Sequence, residues 1–365
     1  MKIVIVSPYD PRADAATDPA GLRGGVEEAL DGCASGLAKR GHDVTLLTSA
    51  PRDGDARDED GVRVIRVKRR GMLFRTPIAP LARRVPADAD VVHVPATYPG
   101  VSDIIPLLAR RRKQATVLDY HFDVAGTSAA MRAGAAAHLA TMGSAMRAAT
   151  RVACKSLDYA RASPFLRGVD PARLDWVPNG VDCSEFRADR LRGEHIACVG
   201  RLVPYKGVDV LLRAMPEVHA MTGARLLVAG DGPEAARLRA MAPECVDMLG
   251  RVSRERLRDI METARVVVLP SANRQEAFGI CLLEAMAAGA PVVASDLPGV
   301  REVARTAGLT ARAGDPAALA RAIIETWKDP RAFGSPADIR ARVERRYDWS
   351  RILPRLEQCY QEAVA

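Results

Sequence analysis

The sequence predicts an α/β protein of two doubly wound parallel-sheet domains with a cleft between them, and three observations predict it. Short apolar runs are each followed by a loop and then by a stretch with helical periodicity, as expected for strands buried on both faces. The alternation breaks in the turn-rich segment Trp176-Val-Pro-Asn-Gly-Val-Asp182 and then restarts. A chain of 365 residues, 48% apolar, exceeds one ordinary core and has enough apolar surface to bury two.

In the first series, Lys2–Ser7 reads as a buried strand, followed by a helix over about Val26–Arg40 that stops at Gly41. Asp43–Thr48, Val62–Val67, Val91–Val94, Ala115–His121 and Arg151–Cys154 read as further strands, with an Ala-rich helix over about Ser128–Ala149. In the second series the strands are His195–Gly200, Arg225–Ala229, Val266–Pro270 and Pro291–Ser295. The helices are Val208–Met221, Glu234–Ala242 and Ile280–Ala288. Such alternation implies parallel sheets, whose ligands gather at the carboxyl ends of the strands.

Composition narrows the function classes. Met1-Lys2 precedes only a short apolar run, too short for a secretory signal, and no apolar run reaches the length of a membrane span. The seven cysteines, at 33, 154, 183, 198, 245, 281 and 359, are scattered and never form C-x-x-C, so neither a disulfide framework nor a zinc site is expected. A cytoplasmic protein is the expectation. The net charge of +8 suits nucleic acid, anionic lipid or an acidic small molecule. No helix-turn-helix, zinc finger or aromatic RNA-binding signature is present, so nucleic acid is not expected as a partner.

Two segments carry chemistry. In Glu276-Ala-Phe-Gly-Ile-Cys-Leu-Leu-Glu284, one carboxylate precedes a helix and the other lies about a turn inside it. The opening of that helix offers free N–H groups and a positive dipole end to an anion. In Gly200-Arg201-Leu-Val-Pro-Tyr-Lys206-Gly207, two cations flank a short turn beside glycines. Arg can grip two phosphate oxygens in a fork while Lys acts as a point charge.

Together these segments resemble the retaining GT-B glycosyltransferases of family four. The likeness spans nearly the whole second half: Gly200–Gly207, Val228-Ala-Gly-Asp-Gly-Pro233, Gly250-Arg-Val252, Glu276–Ala288, Pro291–Gly299 and Ala313–Pro316. It is looser in the first half, through Gly24-Gly25-Val-Glu27, His121 and Pro178–Asp182. The resemblance implies a GT-B enzyme that moves a sugar from a UDP- or GDP-linked donor to an acceptor hydroxyl, with retention and without a metal or other cofactor. It implies that Arg201 and Lys206 bind the diphosphate, that Glu284 meets the ribose, and that Arg251 and Val252 lie along the base. Glu276 and the backbone of Phe278, Gly279 and Ile280 would hold the sugar. Gly24 and Gly25 would approach the phosphates, and His121 would touch the sugar near the reacting carbon. Domains of 1–178 plus about 347–365, on the acceptor side, and 183–346, on the donor side, are expected.

The chain departs from the family pattern in a longer Ser271–Gln275 loop carrying Arg274 and in a shortened turn around Thr306–Thr310. Asp88-Ala-Asp90 matches a metal-binding D-x-D but reads better as the polar lead-in to a strand. Competing readings are a GT-B nucleotide-sugar epimerase and a non-catalytic nucleotide-sugar scaffold. The acceptor stays open between a lipid-linked glycan or glycolipid precursor and a soluble small molecule. An anionic membrane surface is the candidate partner, because Arg63–Arg84 holds eight basic and no acidic residues, interleaved with Met72, Leu73, Phe74, Ile78 and Leu81. Arg110-Arg-Arg-Lys113 adds a second basic cluster.

Overall fold

The computed structural model describes residues 1–13, 24–73, 76–96, 98–123 and 129–365. The chain divides into two compact units, Met1–Gly180 with Ile352–Ala365, and Val181–Arg351.

The first unit runs β1 (Lys2–Ser7), α1 (Gly25–Lys39), β2 (Asp43–Ala50), β3 (Gly54–Arg57), β4 (Arg63–Lys68), β5 (Gly71–Leu73), β6 (Thr76–Ile78) and β7 (Val91–Pro95). It continues through α2 (Ile105–Arg111), β8 (Ala115–Tyr120), α3 (Ala129–Ala148), β9 (Arg151–Cys154), α4 (Leu157–Ala162) and β10 (Leu174–Trp176). Eight strands form one sheet in the order β10-β9-β8-β7-β1-β2-β4-β3, while β5 and β6 pair as a separate hairpin. Within that sheet β3 alone pairs antiparallel, on β4. It is an exposed edge of mostly charged and small residues, Gly-Asp-Ala-Arg, which suits a strand that needs only one neighbour. Central β1 is buried from Ile3 to Ser7, as the continuous apolar run requires.

The second unit runs β11 (His195–Val199), α5 (Val208–Thr222), β12 (Arg225–Ala229), α6 (Ala235–Met241), β13 (Val246–Gly250), α7 (Arg254–Thr263), β14 (Val266–Leu269) and α8 (Ile280–Ala287). Then come β15 (Val292–Ser295), α9 (Val300–Ala304), β16 (Gly308–Ala311), α10 (Pro316–Lys328), α11 (Pro336–Tyr347) and α12 (Trp349–Val364), whose residues from Ile352 belong to the first unit. Its six strands are all parallel, in the order β13-β12-β11-β14-β15-β16. Helix α10 packs along α5 and α11 along α8. The core is aliphatic, with Leu211, Met215, Val218, Leu226 and Ile323 at most 2% exposed.

Helix α12 docks on α1 at Gly36. A Cβ on Gly36 would stand 2.5 Å from Leu353 Cδ1, so the helices approach this closely only because position 36 lacks a side chain. The Arg40 guanidinium then forks onto Glu357, with both bonds at 2.7 Å.

Candidate active site

In the second unit, three loops at the carboxyl ends of β11, β12 and β13 are sewn together by backbone hydrogen bonds. The Gly200 N–H donates to Ala229 O at 3.0 Å, Leu202 N–H to Asp231 O at 2.9 Å, and Glu234 N–H to Leu202 O at 3.0 Å. Gly230 N–H donates to Gly250 O at 2.8 Å. The crossing needs glycine: a Cβ at Gly230 (φ +154°) would lie 1.8 Å from Gly200 O, and one at Gly232 (φ +158°) 2.4 Å from Leu202 O. These contacts hold the backbone on both sides of Arg201, whose half-buried side chain has no ion-pair partner among the described residues.

Lys206 is placed by a second crossing. Gly207 adopts φ +62°, and a Cβ there would stand 2.2 Å from Pro270 O; Ala272 N–H donates to Tyr205 O at 2.7 Å. The turn after β11 is therefore tied to the loop after β14, which carries Glu276. Lys206 Nζ donates to Glu276 Oε2 at 2.5 Å, and Ser271 Oγ donates to the same oxygen at 3.2 Å. Burial pushes the Lys206 ammonium down, but Glu276 outweighs it and holds the pKa above its ordinary value. Thus a residue expected on the diphosphate and one expected on the sugar form one ion pair.

Gly279 opens α8 at φ +87°, where any side chain would be strained, and a Cβ would meet Leu269 Cδ2 at 2.8 Å. The Phe278 ring is buried edge-on against Tyr347, centroids 6.0 Å apart. Ile280 begins the helix, and Cys281 beside it is inert, its thiol pushed up to about 12 first by burial.

Glu284, 8% exposed, lies further along α8 and accepts from Arg254 Nη1 at 2.6 Å. Arg254 also donates to Glu185 at 3.0 Å and lies over the Phe186 ring, 5.6 Å from its centroid. Sequence reading missed Arg254. Its signal was present, since it begins α7 just after Ser253, which caps the helix by accepting from Arg256 N–H at 3.1 Å. Arg251 is exposed and Val252 half-buried in the loop between β13 and α7.

In the first unit, Gly24 is extended and caps α1. Glu27 reaches back to accept from Gly24 N–H at 3.1 Å while Tyr98 Oη donates to its other oxygen at 2.8 Å. Gly25 is the first residue of the helix. Strand β8 ends at Tyr120, so His121 lies one residue past the observed strand end, buried with Asp119 beneath it.

Asp88 and Asp90 lie at the opposite, amino ends of the strands. Asp88 Oδ2 pairs with Lys2 Nζ at 2.6 Å, and Asp90 Oδ2 accepts from Lys2 N–H at 2.7 Å. The basic stretch needs correcting. Leu81 is core at 2% exposure, Arg63 is forked onto Asp55 and Arg66 bonds Asp10 at 2.6 Å, so these face inward or are neutralised. Met72 and Ile78 are exposed; Phe74, Arg75 and the Leu73 side chain lie outside the described residues. Arg110 and Arg111 of the second basic cluster are exposed, and sequence reading missed the apolar neighbours on the outer face of α2 and its cap, Leu107 and Ile104, at 42% and 50% exposure. No helix among the described residues is long and apolar enough to cross a membrane.

Known proteins resemble this chain in sequence and in fold. Residues 23–185 match the family described as Glycosyltransferase Family 4, and residues 193–329 match Glycosyl transferases group 1. The chain is 30% identical over 370 residues to the GDP-mannose-dependent alpha-(1-6)-phosphatidylinositol monomannoside mannosyltransferase of Mycobacterium tuberculosis, covering 92% of this chain and 94% of that protein. It is 28% identical over 372 residues to the phosphatidyl-myo-inositol mannosyltransferase of Propionibacterium freudenreichii, over 93% of this chain and 92% of the other. Among solved structures, the sucrose-phosphate synthase of Thermosynechococcus elongatus superposes with a TM-score of 0.76 at 22% identity, over 99% and 98% of the two chains. Anabaena HepE in complex with UDP gives 0.75 at 18%, over 99% and 100%.

Proposed function

This chain belongs to the group 1 glycosyl transferases of family 4, with the GT-B fold, and on that premise we propose that it transfers a hexosyl group from a GDP- or UDP-linked sugar, with retention, to a hydroxyl of a lipid-carried acceptor. The observation that carries the reading is the meeting of Lys206 and Glu276 at 2.5 Å, at the ends of two adjacent parallel strands, with Arg201 held on the same loop as Lys206. The donor diphosphate takes the place of Glu276 as the partner of Lys206 or shares it, and Arg201 grips the phosphates. As the bond from the anomeric carbon to the phosphate oxygen breaks, these cations take up the charge that develops on the leaving group. The acceptor oxygen bonds the same face of that carbon, and its proton passes to the departing phosphate.

Glu276, once released from Lys206, holds the sugar with the backbone of Phe278, Gly279 and Ile280. Glu284 meets the ribose, Arg251 and Val252 follow the base, and Gly24 and Gly25 approach the phosphates. His121 touches the sugar. No metal is used, because Arg201 and Lys206 supply the positive charge. The lipid acceptor is supported by the relatives' phosphatidylinositol-based names and by the outer face of α2, with exposed Ile104 and Leu107 beside Arg110 and Arg111. Apolar side chains can enter an interface while each basic residue near an anionic leaflet adds about 1 kcal/mol.

The test pairs GDP-mannose and UDP-N-acetylglucosamine with phosphatidylinositol in vesicles and with water-soluble inositol, in excess EDTA. Product in which the new glycosidic bond keeps the donor's anomeric configuration, formed on the vesicle acceptor, is expected. Turnover confined to the soluble acceptor would overturn the lipid assignment, and activity abolished by EDTA and restored by magnesium or manganese would overturn metal independence.

A further inference from the structure

Beneath His121 lies a closed set of ionisable groups that the proposed transfer does not itself use. Asp119, 1% exposed, is the hub. His93 Nε2 hydrogen-bonds Asp119 Oδ2 at 3.0 Å, and His121 Nε2 approaches the same oxygen at 2.9 Å. Lys155 Nζ stands 2.7 Å from the other oxygen, Oδ1, at 5% exposure. The His121 and Lys155 approaches are charge contacts, off the line of a well-formed hydrogen bond. The arrangement follows from parallel-strand alternation: Asp119 and His121 are two apart in chain, and register sets Pro95 and Ala153, each two residues from His93 and Lys155, beside Asp119.

The remaining titratable groups packed on the cluster stay uncharged. Burial first pushes the Cys33 thiol of α1 up to about 12, and it raises Cys359 and Tyr360 of α12 as well. Tyr360 Oη lies 2.8 Å from His93 Nδ1, so both nitrogens of that ring are occupied. Beside its two imidazoles the cluster therefore holds one anion, Asp119, and one cation, Lys155, while Asp175, bonded to Cys359, is paired with Arg151. A proton on His121 would leave a net positive charge in a site shut from water, which is costly.

We propose that Lys155, acting through Asp119, is a positioning residue that keeps His121 a neutral imidazole, so that its ring meets the bound sugar as a hydrogen-bonding group and not as a cation. The proposal rests on the reading that His121 faces the sugar. Burial, and then Lys155 and His93 against the pull of Asp119, hold its pKa below the ordinary 6.5, in agreement with the count. Without Lys155, the Asp119 charge would be unbalanced and His121 would take up the proton.

The chain has six histidines, so rings labelled with ¹³C at Cε1 can be assigned from single His→Gln spectra and titrated in the intact protein. In Lys155→Met the His121 midpoint is expected to rise by about 1 pH unit or more, the size of shift that removal of a neighbouring charge produces. In Asp119→Asn/Lys155→Met, which is balanced again, it should return below that of the single variant. If Lys155→Met does not fold, the double variant is read against the wild type, and a His121 midpoint raised by about 1 pH unit or more in it would overturn the proposal. The acid limb of the kcat/KM profile for GDP-mannose should move with the midpoint. A His121 midpoint unchanged in Lys155→Met, or equal in the single and double variants, would overturn the proposal, as would a shifted midpoint with an unmoved pH–rate profile. Absence of turnover in the wild type would instead count against the proposed function, while the titration still decides the charge control.

Discussion

The two units handle the charge of their candidate residues in opposite ways. In the second unit, Lys206 and Glu276 sit on loops and keep 17% and 12% of their side chains exposed. In the first, Asp119 and Lys155 are sunk beneath His121 at the strand ends, at 1% and 5%. A loop pair can exchange its partner for a ligand, because water and ligand reach it and its backbone is held independently by the glycine crossings. The buried pair has no such freedom, and what it can set is the protonation state of the His121 ring above it. The lesson is that accessible charge binds, whereas enclosed charge tunes.

The largest effects should come from the exchangeable pair and its loop. Lys206→Ala and Arg201→Ala are each expected to lower kcat about 100- to 1,000-fold at saturating donor, the usual loss for one transition-state donor. Near-wild-type turnover in either variant would remove that residue from the leaving-group site.

Gly230→Ala tests whether the backbone crossing, rather than the side chains, makes that unit work. A methyl group 1.8 Å from Gly200 O must push the Arg201 loop away, and φ +154° adds strain. We expect a loss of about 1–3 kcal/mol in urea unfolding, with turnover falling at least as far as stability suggests. Unchanged stability would mean that the loops separate freely.

The buried imidazoles of both units should show themselves in acid. His121, His138 and His195 all have pKa values held below 6.5, with burial the first cause in each. Their folded forms resist protonation, so the unfolded chain binds protons first. Stability therefore falls as pH drops below about 6.5, by up to about 1.36 kcal/mol per pH unit for each group. Burial alone would raise Asp119, but the Lys155 ammonium beside it outweighs that and holds it well below 3.8. Its contribution is present above that value and is lost as pH falls on through the folded pKa. Urea midpoints at pH 7, 6 and 5 that do not decline would contradict this order.

The smallest effect separates the Glu284 carboxylate from the arginine that pairs with it. Glu284→Ala should weaken donor binding by about 1.5–3 kcal/mol, as for a lost charged hydrogen bond. Arg254 is 47% exposed, so Arg254→Ala should cost less than about 1 kcal/mol of donor affinity. Calorimetry with the nucleotide diphosphate measures both, and an Arg254 effect equal to that of Glu284 would place Arg254 on the ligand itself.

Much of this was legible in the linear sequence. Lys2–Ser7, Arg151–Cys154 and Arg225–Ala229 appear as strands at the expected bounds, because an uninterrupted apolar run between turn residues has few other solutions. Strands β3 and β13 escaped notice. Gly54–Arg57 carries little apolar signal and is held by pairing with β4, while Val246–Gly250 mixes Asp247 and the exposed Leu249 into an edge strand. Helix α7 has a high polar content, and its start is marked chiefly by the Ser253 cap.

By itself, then, the sequence determined the alternating α/β pattern, the loops that carry Arg201, Lys206, Glu276 and Glu284, and the glycines beside them, since each depends on local periodicity or on residue type. Only the tertiary structure decided which charges meet. Lys206 finds Glu276 across 70 positions and Arg254 finds Glu284 across 30, while Lys155 and His93 converge on Asp119 from neighbouring strands. Strand order and register bring such pairs together, and neither can be read from the spacing of residues along a chain, because a parallel sheet places side by side segments that any length of helix and loop may separate.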